Sequence, residues 1–330
     1  MISKQNSILS TQNSELRTQD SGLRVLIVCS KNSGKVAPFI SDQVEALSAN
    51  GIQCAYFTIE GKGIKGYLSN RALLLQKIRA FQPNIIHAHY GLSGLLANLQ
   101  RRVPVVTTYH GSDINNNKVF VFSRIAMLLS AFNIFVSSKN QRKANLKRNN
   151  ALIPCGVDLA LFKPMDKALA RQQMSFEPHE QLILFAGHFG NAVKNPELAQ
   201  ATVALLPTVR LLELKGYSRS EVAVLMNAVD ACLMTSHTEG SPQFVKEALA
   251  CNCPVVSVAV GDVPEVIGNI EGCYLVDRTA QALSEALQLA ISHTTGINAR
   301  ETLLEKGFAQ TQVVQQLSKV YQRIVGSKLV

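Results

Sequence analysis

Two carboxylates, Glu239 and Glu247, stand with seven residues between them in the run Thr238-Glu239-Gly240-Ser241-Pro242-Gln243-Phe244-Val245-Lys246-Glu247-Ala248-Leu249-Ala250. The run reads as a loop that turns on Gly240 and starts a helix at Ser241 with Pro242 in its first turn, because Ser caps helices and Pro fits their first positions. The backbone N–H groups from Gly240 to Phe244 would then lie at the positive helix end, where phosphate binds readily. A phosphate cradle flanked by two hydroxyl-accepting carboxylates suits a nucleotide sugar, with one acid for the ribose and one for the hexose. An ordinary capped helix with solvated acids uses the same residue types, so the surroundings must decide.

Those surroundings alternate between strand and helix. Leu23 to Cys29 is an almost continuous apolar run, as in a parallel strand covered on both faces. A helix is expected from Pro38 to Asn50, stopping at Gly51. Further strands are expected at Gln53–Ile59, Ile85–Ala88, Val103–Thr108 and Asn133–Ser137, with helices at Arg71–Phe81 and Ser93–Gln100. The alternation restarts at Leu182-Ile183-Leu184-Phe185-Ala186-Gly187 after a Pro/Gly connector, Leu152 to Pro164. Beyond Ser292 the pattern is purely helical to Val325. We therefore expect an α/β chain of two Rossmann-like, doubly wound domains facing across a cleft. The expected division is a flexible tail at 1–22, domains at 23–163 and 164–292, and a helical segment at 293–330. Ligands of such sheets bind beyond the carboxyl ends of the strands.

The Glu239–Ala250 run, continued by Cys253-Pro254-Val255-Val256-Ser257 and by Val260-Gly261-Asp262-Val263-Pro264-Glu265-Val266-Ile267, resembles the nucleotide-sugar motif of the retaining GT-B glycosyltransferases of family 4. The connector Pro154-Cys155-Gly156-Val157-Asp158 through Phe162 resembles the family's Pro-Asn-Gly-Val-Asp signature, with Cys155 where Asn is usual. Tyr109-His110-Gly111-Ser112-Asp113 resembles its His-Gly-x-Asp loop. The resemblance implies that His110 and Glu239 contact the transferred sugar, as catalytic residues. It implies that Gly240, Ser241, Pro242, Gln243, Phe244 and Glu247 bind the donor, Glu247 through the ribose. Lys194 and His188, in Ala186-Gly187-His188-Phe189-Gly190-Asn191-Ala192-Val193-Lys194, match the basic pair that neutralises the donor diphosphate. His188 replaces a usual Arg, which is a permanent and bidentate phosphate ligand where His is neither. Gly34, left from a glycine pair after the first strand, is expected to approach the phosphate. Asp113 and His89 are expected on the acceptor side. His87 and His89 would share a strand face, yet no third ligand of suitable spacing accompanies them, and no metal site is expected. In the family the last helix returns to the first domain, and the same is expected here. The resemblance thus implies transfer of a hexose-type sugar from a UDP- or GDP-linked donor to a glycan or lipid-linked acceptor, with retention and without a metal or other cofactor, in surface polysaccharide synthesis.

Composition sets the outer bounds. The chain has 330 residues, 47% hydrophobic and 17% charged, which is globular and comfortable for two domains. Seven scattered cysteines form no disulfide framework and suggest a reducing compartment. Residues 1–21 lack the apolar core of a signal peptide. Val119–Val136 is interrupted by Ser123, Arg124, Ser130 and Asn133 and reads as a buried helix followed by a strand. The formal net charge is +10, with basic residues clustered from Lys139 to Arg148. A solvated face is the plain account of that cluster. Without a nucleic-acid module or interleaved aromatics, an anionic membrane surface fits better than nucleic acid. A cytoplasmic protein, peripheral at the inner membrane face, is the resulting expectation. Rival readings are a nucleotide-sugar epimerase or a phosphorylase on the same fold, and a non-catalytic nucleotide- or glycan-binding module. A nicotinamide dehydrogenase is disfavoured because the glycine fingerprint is absent.

Overall fold

The computed structural model describes residues 22–32, 34–293 and 297–326; the tail read at 1–22 lies, apart from Gly22, outside the described residues. The first half runs β1 (Arg24–Ser30), α1 (Pro38–Ala49), β2 (Gln53–Ile59), α2 (Gly63–Leu68), α3 (Arg71–Phe81), β3 (Ile85–His89), α4 (Gly91–Asn98), β4 (Val105–Tyr109), α5 (Ser112–Asn115), α6 (Asn117–Leu129), β5 (Phe132–Phe135), α7 (Ser138–Ala144) and β6 (Asn150–Leu152). The second runs α8 (Lys167–Gln173), β7 (Gln181–Phe185), a 3-10 turn (Ala192–Lys194), α9 (Pro196–Ala204), β8 (Val209–Glu213), α10 (Arg219–Ala228), β9 (Ala231–Met234), α11 (Gln243–Ala250), β10 (Val255–Ser257), α12 (Val263–Ile267), β11 (Tyr274–Leu275), α13 (Ala280–Ser292), α14 (Ala299–Glu305) and α15 (Gln310–Gly326).

All strands pair in parallel. The first sheet has the order β2-β1-β3-β4-β5-β6 and the second β11-β10-β9-β7-β8. Both are doubly wound, with the same internal order and a switch point beside the first strand, between β1 and β3 and between β7 and β9. A crevice opens at such a point because successive connections leave on opposite faces. β3 and β4 are buried at every residue, so the polar side chains they carry, His87 and His89 on β3 and Thr107 and Thr108 on β4, are held inside the fold.

Each sheet has its own core. One cluster gathers β7, β9, β10, α10, α11 and α13 around Phe185, Leu233 and Leu249. Two others cover the faces of the first sheet. One of these takes Val313, Val314, Leu317, Tyr321 and Ile324 from α15 and packs them with Ile40, Val44 and Leu47 of α1. The C-terminal stretch is not one unbroken helix: α14 ends at Glu305 and α15 begins at Gln310. Between them Ala309 bridges Val157 of the connector, so backbone pairing there replaces helical bonds.

A second difference concerns α6. Its buried residues are Ser123, Ala126 and Met127, while Val121 (60%), Ile125 (42%) and Leu128 (76%) are exposed. The apolar run that reads as a buried helix therefore turns a hydrophobic stripe to the outside.

Candidate active site between the two sheets

The candidate residues come from loops at the carboxyl ends of both sheets. After β9 the chain reaches Glu239 and Gly240 and then enters α11, whose first residue is Gln243 and whose N-cap is Pro242. The helix starts two residues later than Ser241, because the Ser241 hydroxyl does not cap it. That hydroxyl donates instead to Asp262 Oδ2 at 2.6 Å and accepts from Lys246 Nζ. Lys246 is fully buried and also donates to the Cys155 carbonyl at 3.0 Å, with Asp262 Oδ2 3.4 Å away. A buried ammonium, carboxylate and hydroxyl thus brace the turn behind the helix start, satisfying one another in place of water.

Glu239 accepts from Lys194 Nζ at 2.6 Å, both side chains half-buried. Lys194 closes the 3-10 turn after β7, so the pair joins the loops on either side of the second switch point. His188 lies exposed beside Gly190 and meets neither. Gly34 sits in an exposed turn, its N–H bonded to Lys31 O at 2.9 Å. Gln243 donates to the Gly156 carbonyl at 2.5 Å, tying α11 to the connector. The Phe244 side chain belongs to the second core, which leaves only its backbone for the cradle.

Glu247 is 4% exposed and accepts from Arg219 Nη1. Burial pushes its carboxyl up, against the pull of the Arg219 charge. Arg219 opens α10 and reaches across to Asp42 Oδ2 of α1 at 2.5 Å. Arg219 is absent from the motif reading. The one signal that marks it is its place after Gly216-Tyr217-Ser218, where a capping box between Ser218 and Glu221 starts the helix.

Across the cleft, Gly111 and Gly240 meet backbone to backbone. A Cβ on Gly240 would fall 1.8 Å from the His110 carbonyl oxygen, and one on Gly111, whose φ is +117°, would fall 2.7 Å from Gly240 Cα. Only glycine fits at both places.

His110 stands beside that contact, its ring among Phe39, Tyr90 and His89. Its Nε2 is 3.0 Å from His89 Nδ1 and its Nδ1 is 3.6 Å from Cys155 Sγ. Both nitrogens are engaged with protein, so a sugar would have to displace one of these contacts to take a hydrogen bond from the ring. Burial lowers His110 to about 3, making it a neutral imidazole at ordinary pH. Asp113 is not turned to a ligand: it is 3% exposed and accepts from the N–H groups of Gly91, His110 and Gly111 at 2.9–3.1 Å. Such a carboxylate fixes the loop. His89 is also fully buried, stacked on His87 with ring centroids 4.5 Å apart. Among the described residues no group of three His, Cys, Asp or Glu side chains could hold a metal ion.

Comparison with known proteins finds a family match in each half of the chain. The family model described as Glycosyltransferase Family 4 matches residues 17–161, and Glycosyl transferases group 1 matches 189–293. A Bacillus subtilis protein, TuaC, described as a teichuronic acid biosynthesis glycosyltransferase, is 25% identical over 67% of this chain and 64% of its own length. A D-inositol 3-phosphate glycosyltransferase of Mycobacterium marinum is 25% identical over 62% of this chain and 56% of its own. The chain thus spans under two thirds of these relatives. Sucrose-phosphate synthase from Thermosynechococcus elongatus superposes with TM-score 0.80 at 19% identity, covering 92% of this chain and 100% of that one. Anabaena Alr3699/HepE, solved with UDP-glucose, gives 0.70 at 18%, covering 90% and 99%. Matched by the two family models over most of its length, and superposing on these solved structures over 90% or more of its residues, the chain belongs to family 4 of the GT-B glycosyltransferases.

Proposed function

We propose that this protein transfers a hexose-type sugar from a UDP- or GDP-linked donor to a glycan or lipid-linked acceptor, with retention of configuration. The observation that carries the reading is the pairing of Lys194 with Glu239 beside the Gly240 turn, opposite His110. In this reading Lys194 and the start of α11 neutralise the departing diphosphate, which makes a metal unnecessary. Glu247 accepts from the ribose and Glu239 from the sugar. His188, exposed beside Gly190, takes no part in the Lys194–Glu239 pair. The complex of Anabaena Alr3699/HepE with UDP-glucose supports a UDP carrier, and the description of TuaC supports surface polysaccharide as the product.

Calorimetric titration with UDP, GDP, ADP and NAD tests the donor site. One nucleoside diphosphate should bind selectively, and Glu247→Gln should weaken it about 10- to 100-fold, the worth of a charged hydrogen bond. Selective binding with no transfer from any donor would instead favour a non-catalytic module.

We place the protein in the cytoplasm, held peripherally at an anionic membrane. No helix among the described residues is long and apolar enough to cross one. The face supporting this is the stripe of Val121, Ile125 and Leu128 on α6, flanked by exposed Lys118 and Arg124 and by Lys139, Arg142 and Lys143 of α7. Arg124 and Lys143 converge on the Phe120 ring at 6.0 and 5.4 Å. Apolar side chains with cations beside them match a lipid headgroup boundary. Flotation with anionic liposomes should drop when Arg142, Lys143, Lys147 and Arg148 are neutralised, and unchanged flotation would reject this face.

A further inference from the structure

We propose that Arg219 gates the donor site: its guanidinium holds the carboxylate that the ribose takes, and its bond to Asp42 ties that exchange to opening of the cleft. The inference rests on the reading of Glu247 as the ribose acceptor.

The geometry is a three-part bridge. Arg219 Nη1 donates to Glu247 Oε1 and Nη2 donates to Asp42 Oδ2 at 2.5 Å, while the guanidinium lies over the Phe162 ring at 4.7 Å. Asp42 belongs to the first half, Phe162 to the connector and Glu247 to the second half. One planar cation therefore touches all three parts that must separate if the cleft widens. Arg is permanently charged and its fork bonds two acceptors at once, so the bridge does not dissolve by loss of a proton.

Competition follows from the burial of Glu247. With its side chain 5% exposed, that carboxylate has little free edge, and one of its oxygens is taken by Arg219. A charge-assisted bond from guanidinium is stronger than one from a neutral hydroxyl, so a ribose diol gains full access to Glu247 only when Arg219 turns away. The α10 backbone is fixed by the Ser218–Glu221 capping box, which confines the movement to the side chain. Asp42 is what retains Arg219 in place. The Gly111–Gly240 backbone contact closes the same cleft nearby, so loosening the bridge and freeing the Gly240 turn belong to one movement.

Asp42→Asn removes the charge that retains Arg219 while leaving Glu247 itself unaltered, so the guanidinium yields more readily to the ribose. Small-angle scattering and titration with UDP and with GDP should be run on the wild type, Asp42→Asn and Arg219→Gln. The gate predicts a larger radius of gyration for Asp42→Asn and tighter nucleotide binding in both variants, by about 3- to 10-fold, as a larger fraction of molecules becomes competent. Damage to the fold does not tighten a ligand. Equal affinities in all three proteins would overturn the gate while leaving the donor reading in place. Weaker binding in both variants would also overturn it, making Arg219 a donor ligand. If neither nucleotide binds any of the three although scattering shows Asp42→Asn opened, the donor reading fails and the gate falls with it.

Discussion

The imidazoles of His87, His89 and His110 form one stack beneath the cleft, each ring engaged with a neighbour. His87 bonds Tyr321 Oη at 2.6 Å and Thr108 Oγ1 at 2.7 Å. Burial lowers His87 and His110 to about 3 and lowers His89 well below its ordinary value. The unfolded chain binds protons at each of these sites below about pH 6.5 and the folded chain does not, so the stability they allow is complete above that pH and is lost toward pH 3. Each ring contributes a slope of up to about 1.4 kcal/mol per pH unit. Urea midpoints should fall from about pH 6.5 to about pH 5, and His87→Gln should flatten that fall; an unaltered slope would sink the argument. Lys246 carries a second prediction. Lys246→Met leaves Asp262 buried without its cation and should cost about 3–5 kcal/mol of stability, whereas Lys246→Met with Asp262→Asn should recover part of it. A double variant no more stable than the single one in chemical unfolding would show that the pair does not act as a unit. The sequence shows Lys246 only as one residue of an amphipathic helix; nothing in its spacing pairs it with Asp262, Ser241 and the Cys155 carbonyl, because that contact arises from three separate loops.

At the scale of elements, the sequence was most legible where one physical rule dominates. Gln53–Ile59 and Arg71–Phe81 are read with the bounds they have in the structure, since the first is a mostly apolar run between Gly51 and Gly61 and the second stops before Pro83. The start of α11 was read two residues early because a serine before a proline signals a cap, and the sequence does not reveal that Asp262 and Lys246 claim its hydroxyl. For α6 the apolar content was plain, but content does not say which face meets a neighbour. Lys194 and Glu239 stand out only through motif resemblance, while their pairing is not legible in the sequence, nor is Arg219, whose partners lie 28 and 177 residues away. The loop elements meet tightly enough to test. Gly240→Ala places a methyl against the His110 carbonyl, where a Cβ would lie at 1.8 Å, and backbone on both sides cannot yield. The loops must move apart by about an ångström, a displacement that costs on the order of 100-fold in rate when it separates reacting groups. Transfer activity should fall by that order while the circular dichroism spectrum and melting of the second half stay unchanged. Activity within a few fold of the wild type would mean that the loops close differently during turnover.

The whole molecule is held by a chain path that crosses its own cleft. The connector leaves β6 for the second half, yet Val157 returns a bridge to Ala309, with Gln310 N–H bonded to Val157 O at 2.9 Å. From there α15 lies on the first sheet, with Leu317 and Tyr321 buried among residues of β1 and α1. The last helix in sequence therefore stabilises the first core, and Tyr321 reaches His87 directly beneath the cleft. Leu317→Ala should cost about 2–5 kcal/mol, the usual range for a buried leucine truncated in a packed core. Where that loss appears distinguishes two views of the architecture. If the first half unfolds as its own unit, amide exchange in β1, β3 and α1 accelerates while that in β7 and β9 keeps its wild-type rate. If the bridge at Ala309 and the Arg219–Asp42 contact couple the halves into one cooperative block, exchange accelerates in both sheets together. Separate cores and few polar contacts across the cleft favour the first outcome, and uniform acceleration measured by native-state hydrogen exchange would reject it.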